Sequence, residues 1–147
     1  MRFSKTTDYA LRVMMALALA KDDRLSLQNL ATREQIPRKF LEHVVRSLKE
    51  ADLVHSTPGP KGGYRLNYPA SLITVAKIIQ AVNGPLLPVD RLAPENHPHH
   101  QQEPIRRLQA VVNDIRAFAR QQLESLTLAD LAEIRNVGVH EELMYYI

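Results

Sequence analysis

The sequence predicts a mainly α-helical chain: a winged helix-turn-helix with a small β-hairpin wing, followed by a long C-terminal dimerisation helix. Three observations in its 147 residues predict this. Two amphipathic helical stretches, residues 26–31 and 36–49, follow one another with almost no connection. A Gly/Pro-rich turn, residues 58–63, stands between two short apolar stretches. Beyond a Pro/His-rich segment, apolar residues recur at three- and four-residue steps from Ile105 onward.

A first helix is expected over residues 4–20, with Ser4 able to cap it and Asp8 in the favourable first turn. After Tyr9 it is apolar almost all round, so several of its sides should be buried. In the second helix of the hairpin, Phe40, Leu41, Val44, Val45 and Leu48 share one face of a period of about 3.6 residues, while Arg38, Lys39, Glu42, His43, Arg46 and Lys49 fall elsewhere. Pro37 suits a first helical position, where its fixed φ fits and its missing N–H costs nothing. Leu30 and Ile36 are placed to pack the two helices together. The turn 58–63 carries one cation, Lys61, at its tip.

Residues 74–82 form a short helix stopped by Asn83-Gly84-Pro85. Residues 84–104 hold five of the nine prolines and three of the six histidines, which predicts a loop or mobile arm. The long helix that follows places Ile105, Leu108, Val112, Ile115 and Ala119 on a stripe widened by Val111, Phe118 and Leu123, more than one packed neighbour covers, so a second chain is the expected partner. Residues 127–134 read as another short helix, and residues 141–147 end in an apolar tail. The division expected is a DNA-binding unit over residues 1–84, a sensor-type loop over 85–104, and a dimerisation helix with C-terminal segment over 105–147.

Charge is unevenly placed. Residues 1–65 hold 12 Lys+Arg against 7 Asp+Glu, and residues 66–147 hold 7 against 9. A basic front and a mildly acidic back suit a nucleic-acid domain joined to an assembly domain. The longest apolar run, Val13 to Ala20, falls far short of the ~20 residues of a membrane span, and no secretory cleavage pattern follows the start, so no membrane partner and a cytoplasmic location are expected. With no cysteine, disulfides and thiolate metal sites are excluded. No glycine-rich phosphate loop and no carboxylate pair beside a placed histidine point to catalysis, so the chain is not read as an enzyme.

Five motifs then stand in register: Ser4-Lys5-Thr6-Thr7-Asp8-Tyr9-Ala10-Leu11-Arg12; Ile36-Pro37 leading to Phe40-Leu41-Glu42; Gly62-Gly63-Tyr64-Arg65-Leu66; residues 73–79 with Val82-Asn83-Gly84; and Thr127-Leu128-Ala129-Asp130-Leu131. In these the chain resembles the bacterial rrf-two regulators over nearly its whole length. The resemblance implies a homodimeric winged-helix transcription factor, dimerised through its long C-terminal helix, that binds a partly palindromic operator. Two departures stand out. Cluster-binding members carry three cysteines in the region matching residues 84–107, and none is present here. The family often has an arginine before the first wing glycine, where this chain has Pro58, so phosphate contact there falls to Lys61 or to backbone N–H groups.

The reading that follows is a sequence-specific DNA-binding regulator acting as a repressor, with no cofactor. Arg38, Lys39, Glu42 and His43 face base edges and flanking phosphates, Lys5, Tyr9 and Arg46 hold the DNA backbone, and Lys61, Gly62 and Gly63 approach the adjacent minor groove. Two alternatives stay open: control of DNA binding by a metal on His97, His99 and His100, by a small effector or by a partner protein, and a protein-interaction module that binds no DNA.

Overall fold

The computed structural model describes residues 3–21, 23–86 and 103–133. Its helices are α1 (Lys5–Leu19), α2 (Leu27–Glu34), α3 (Arg38–Glu50), α4 (Val75–Asn83) and α5 (Glu103–Ser125), with the antiparallel strands β1 (Val54–Thr57) and β2 (Gly63–Leu66) between α3 and α4. The chain is therefore mainly helical with one hairpin wing and a long C-terminal helix, as the periodicity and turn chemistry predict.

The caps show why the helices begin where they do. Ser4, Ser26 and Thr74 each accept from the backbone N–H three residues on, satisfying a donor that has no partner inside the helix. Pro37 differs from expectation. With φ −58° and ψ 131° it is the cap of α3 and not its first helical residue, and its carbonyl accepts from Phe40 and Leu41. Between α2 and α3, Gln35 takes the left-handed conformation at φ 52°, which turns the chain within one residue and lets Ile36 N–H reach back to the Ala31 carbonyl.

The core forms where α1, α3 and α4 meet. Met14, Leu17, Leu30, Leu41, Leu48, Ile73 and Ile78 are fully buried there. Leu128 joins the same cluster, although it lies past α5 in sequence. Its N–H donates to Ile73 and the Leu126 carbonyl accepts from Val75, so two backbone bonds tie the far end of α5 to the start of α4. The chain is helical again over residues 128–133. There Thr127 and Asp130 cap each other: the Asp130 carboxylate accepts from Thr127 N–H, and the Thr127 hydroxyl accepts from Asp130 N–H. The Thr127 hydroxyl and N–H, both donating to the Asp130 carboxylate, hold it below its ordinary pKa.

At the other end of α4, Asn83 donates to the buried Thr7 hydroxyl and accepts from Ser4, which closes α4 onto the first turn of α1. None of the residues of α5 is buried. Among the described residues, no helix is long and apolar enough to cross a membrane.

Candidate nucleic-acid interface

The outer face of α3 is built by the same period that buries its inner face. Leu41, Val44, Val45 and Leu48 turn into the core, and Arg38, Lys39, Glu42, His43, Arg46 and Lys49 are all exposed. At about 100° per residue, Lys39, His43 and Arg46 occupy the middle of the exposed face. Arg38 and Glu42 sit to one side and are joined by a 3.1 Å ion pair.

Phe40 corrects the reading that put it with the buried residues. It stands at the opposite margin of α3, 58% exposed, with its ring 6.3 Å from that of Tyr9 on α1. Tyr9 is half-buried, and the Arg12 guanidinium lies over its ring, 5.8 Å from the centre. Arg12 in turn donates to Asp8 at 2.7 Å and to the Glu34 carbonyl at 3.0 Å, so it stitches α1 to the end of α2. The bond to Asp8 raises its pKa further, and Arg12 is a permanent cation. Lys5 is exposed one turn before Tyr9 on the same face of α1.

The wing owes its shape to two glycines. A Cβ at Gly62 would run into the Thr57 carbonyl, and Gly63 has φ +141° with the Leu25 carbonyl 2.8 Å from where its Cβ would lie. Lys61 stands exposed at the tip. Of the backbone N–H groups expected as an alternative to Lys61, that of Gly62 already bonds the Gly59 carbonyl at 2.9 Å, which leaves the Lys61 ammonium as the donor at the tip. The base of the wing is fixed twice. Leu25 and Tyr64 exchange backbone bonds of 2.8 and 3.0 Å, adding a one-residue third strand ahead of α2. At the end of α3, Asp52 takes φ 60° and its carboxylate accepts from Asn67 and Tyr68 just beyond β2, which pushes the Tyr68 phenol above its ordinary pKa. Helix and wing are thus held as one rigid unit.

Sequence reasoning missed three residues near this surface. Lys49 and Tyr64 line, with Glu42, Arg46 and Glu50, a groove between α3 and the wing. Arg24 lies beside Gly63, its Cβ 3.2 Å from that glycine's missing Cβ. Only the Leu25–Tyr64 bridge brings Arg24 there, and a single bridged residue has no periodicity to announce it.

On α5 the five expected contact residues divide. Leu108 and Ile115 are exposed, together with Val111 and Phe118, whereas Ile105, Val112 and Ala119 are half-buried. His97, His99 and His100 lie outside the described residues, and among the described residues no group of three His, Cys, Asp or Glu side chains could hold a metal ion.

The family model described as "Iron-dependent Transcriptional regulator", Rrf2, matches residues 3–134. This chain belongs to the Rrf2 family. It is 34% identical to the HTH-type transcriptional regulator CymR of Bacillus subtilis over 148 aligned residues, covering the whole of both chains. The solved structure of that global cysteine regulator superposes with a TM-score of 0.72 at 31% identity, covering 91% of this chain and 98% of the other. IscR of T. potens gives a TM-score of 0.72 at 26% identity, covering 92% and 88%. The protein is accordingly a DNA-binding transcriptional regulator and not an enzyme. The iron in the Rrf2 description meets a chain without a cysteine, so a thiolate-held iron–sulfur cluster does not fit its donor set.

Proposed function

We propose that this Rrf2 regulator represses transcription by binding a partly palindromic operator as a homodimer. The observation that carries the reading is the basic outer face of α3 beside the cation at the wing tip, held in place by Leu25, Asp52 and the two wing glycines. In this reading α3 enters the major groove, where Arg38, Lys39, Glu42 and His43 meet base edges and flanking phosphates. Lys5, Tyr9 and Arg46 hold the DNA backbone, and Lys61 reaches the neighbouring phosphates with Gly62 and Gly63 shaping the approach.

Dimerisation is supported by α5. Leu108, Val111, Ile115 and Phe118 are each more than half exposed and follow one another at steps of three, four and three residues, the spacing of a coiled-coil seam. This seam refines the expected stripe, keeping Leu108 and Ile115 as direct contacts and placing Ile105, Val112 and Ala119 behind them. A two-fold dimer sets two copies of α3 about one helical turn of DNA apart, and its occupancy of a promoter excludes polymerase. The division into a DNA-binding unit, a loop and an assembly segment belongs to the same proposal.

Titration of the protein against duplexes enriched from random DNA, repeated across salt concentrations, tests the reading. Affinity should fall steeply as salt rises, because phosphate contacts release condensed ions. A salt-independent interaction, or no enriched sequence, favours the rival in which the fold is a protein-interaction module.

A further inference from the structure

Phe40 is the one large apolar side chain on the exposed face of α3, and its position has a consequence for sequence recognition. It is the third residue of the helix, in the turn that a helix-turn-helix inserts deepest into the major groove. It follows Arg38 and Lys39 directly and precedes Glu42 and His43, all exposed. Leaving a phenyl ring in water gains the fold nothing, and the core beneath is complete without it. The ring has an aromatic neighbour: Tyr9 lies 6.3 Å away, and Arg12, bonded to Asp8 and the Glu34 carbonyl, lies over Tyr9 in turn. An apolar ring held at the mouth of a polar groove needs an apolar counterpart. The edges of bases in the major groove carry one methyl group, the C5-methyl of thymine; beside it stand hydrogen-bond donors and acceptors and the smaller C–H edges of cytosine C5 and purine C8.

We infer that Phe40, braced by Tyr9, reads a thymine methyl in each operator half-site and is a specificity-determining residue of this regulator. The inference rests on the DNA-reading role of α3 proposed above. Phosphate oxygens and sugar edges give a phenyl ring no comparable gain, and contacts to them would not distinguish one base from another. Tyr9 then has a second task besides the DNA backbone, since it fixes the ring against which the methyl packs.

The test uses a duplex enriched from random DNA by the full-length protein, with each thymine replaced in turn by deoxyuridine, which removes only the methyl group. For the unaltered protein, one position in each half-site should lose about fourfold in affinity, the value of burying one methyl group. In Phe40→Ala that penalty should disappear, and in Phe40→Leu, which keeps an apolar contact, it should persist. Lys39→Ala should weaken every duplex and leave the penalty unchanged. Uracil tolerated at every position by the unaltered protein overturns the inference, and so does a full penalty surviving in Phe40→Ala. The uracil scan of the unaltered protein involves no substitution and is independent of whether a variant folds. Failure to enrich any duplex is a different result: it removes the proposed DNA reading itself, and with it the inference.

Discussion

The Arg38 Nε donates to Glu42 Oε1 across 3.1 Å, one turn further along α3, and both side chains stand in solvent. Such an exposed pair contributes only about 0.3–0.5 kcal/mol, so DNA can open it readily. While it is closed, Glu42 restrains Arg38, and near bases its carboxylate accepts from cytosine and repels phosphates. Glu42→Ala is therefore expected to relax sequence preference more than it lowers affinity. Selection from a randomised library by both proteins reads this directly, and an equal loss on all sequences counts against the role.

Lys39 lies mid-face on α3 and Lys61 at the wing tip, and neither pairs with a carboxylate among the described residues. If both meet phosphates, each alanine replacement should lower the slope of log affinity against log salt by about one unit. Unchanged affinity in both variants would remove this docking face.

Ile115 and Phe118 are 61% and 64% exposed in the single chain. Ile115→Asp combined with Phe118→Asp places unpaired charges in the proposed seam, which an apolar contact does not tolerate. Light scattering should then report the mass of one chain, and operator affinity should fall because one half-site buries too little surface to be specific. An intact dimer would contradict the seam.

Leu128 packs against the core of α1, α3 and α4, so Leu128→Ala should cost about 2–5 kcal/mol of stability by leaving a cavity. Leu72, which is 61% exposed, serves as the comparison, and its alanine variant should stay within about 0.5 kcal/mol of the unaltered protein. Urea unfolding distinguishes the two, and equal midpoints would show that residues beyond α5 are not part of the folding unit.

The carboxyl of Asp130, bonded to the Thr127 hydroxyl and N–H, should titrate below the 3.8 of an ordinary aspartate. Its pKa is lowered on folding, so its contribution is present above that ordinary value and is lost as pH falls through the folded value. Carbon-detected NMR titration of the side chain checks the direction, and a midpoint at or above 3.8 rejects the cap.

What the sequence determined by itself was local. Ser4, Ser26 and Thr74 cap helices because a side-chain oxygen reaches an N–H three residues away, and Gly62 and Gly63 make a wing because only glycine clears the neighbouring carbonyls. The caps operate within a turn of chain, so spacing announces them; Gly62 meets the Thr57 carbonyl inside the hairpin, whereas the Leu25 carbonyl that Gly63 must clear arrives from ahead of α2. The apolar period of α3 likewise revealed which face is buried, but not its margin, where Phe40 stands exposed beside Tyr9 of another helix. The Leu25–Tyr64 bridge that carries Arg24 to the wing, the entry of Leu128 into the core, and the division of the α5 stripe into exposed Leu108 and Ile115 and half-buried Val112 were decided by tertiary structure alone. Each depends on residues far apart in the chain meeting in space, and a one-dimensional period carries no record of which partner arrives.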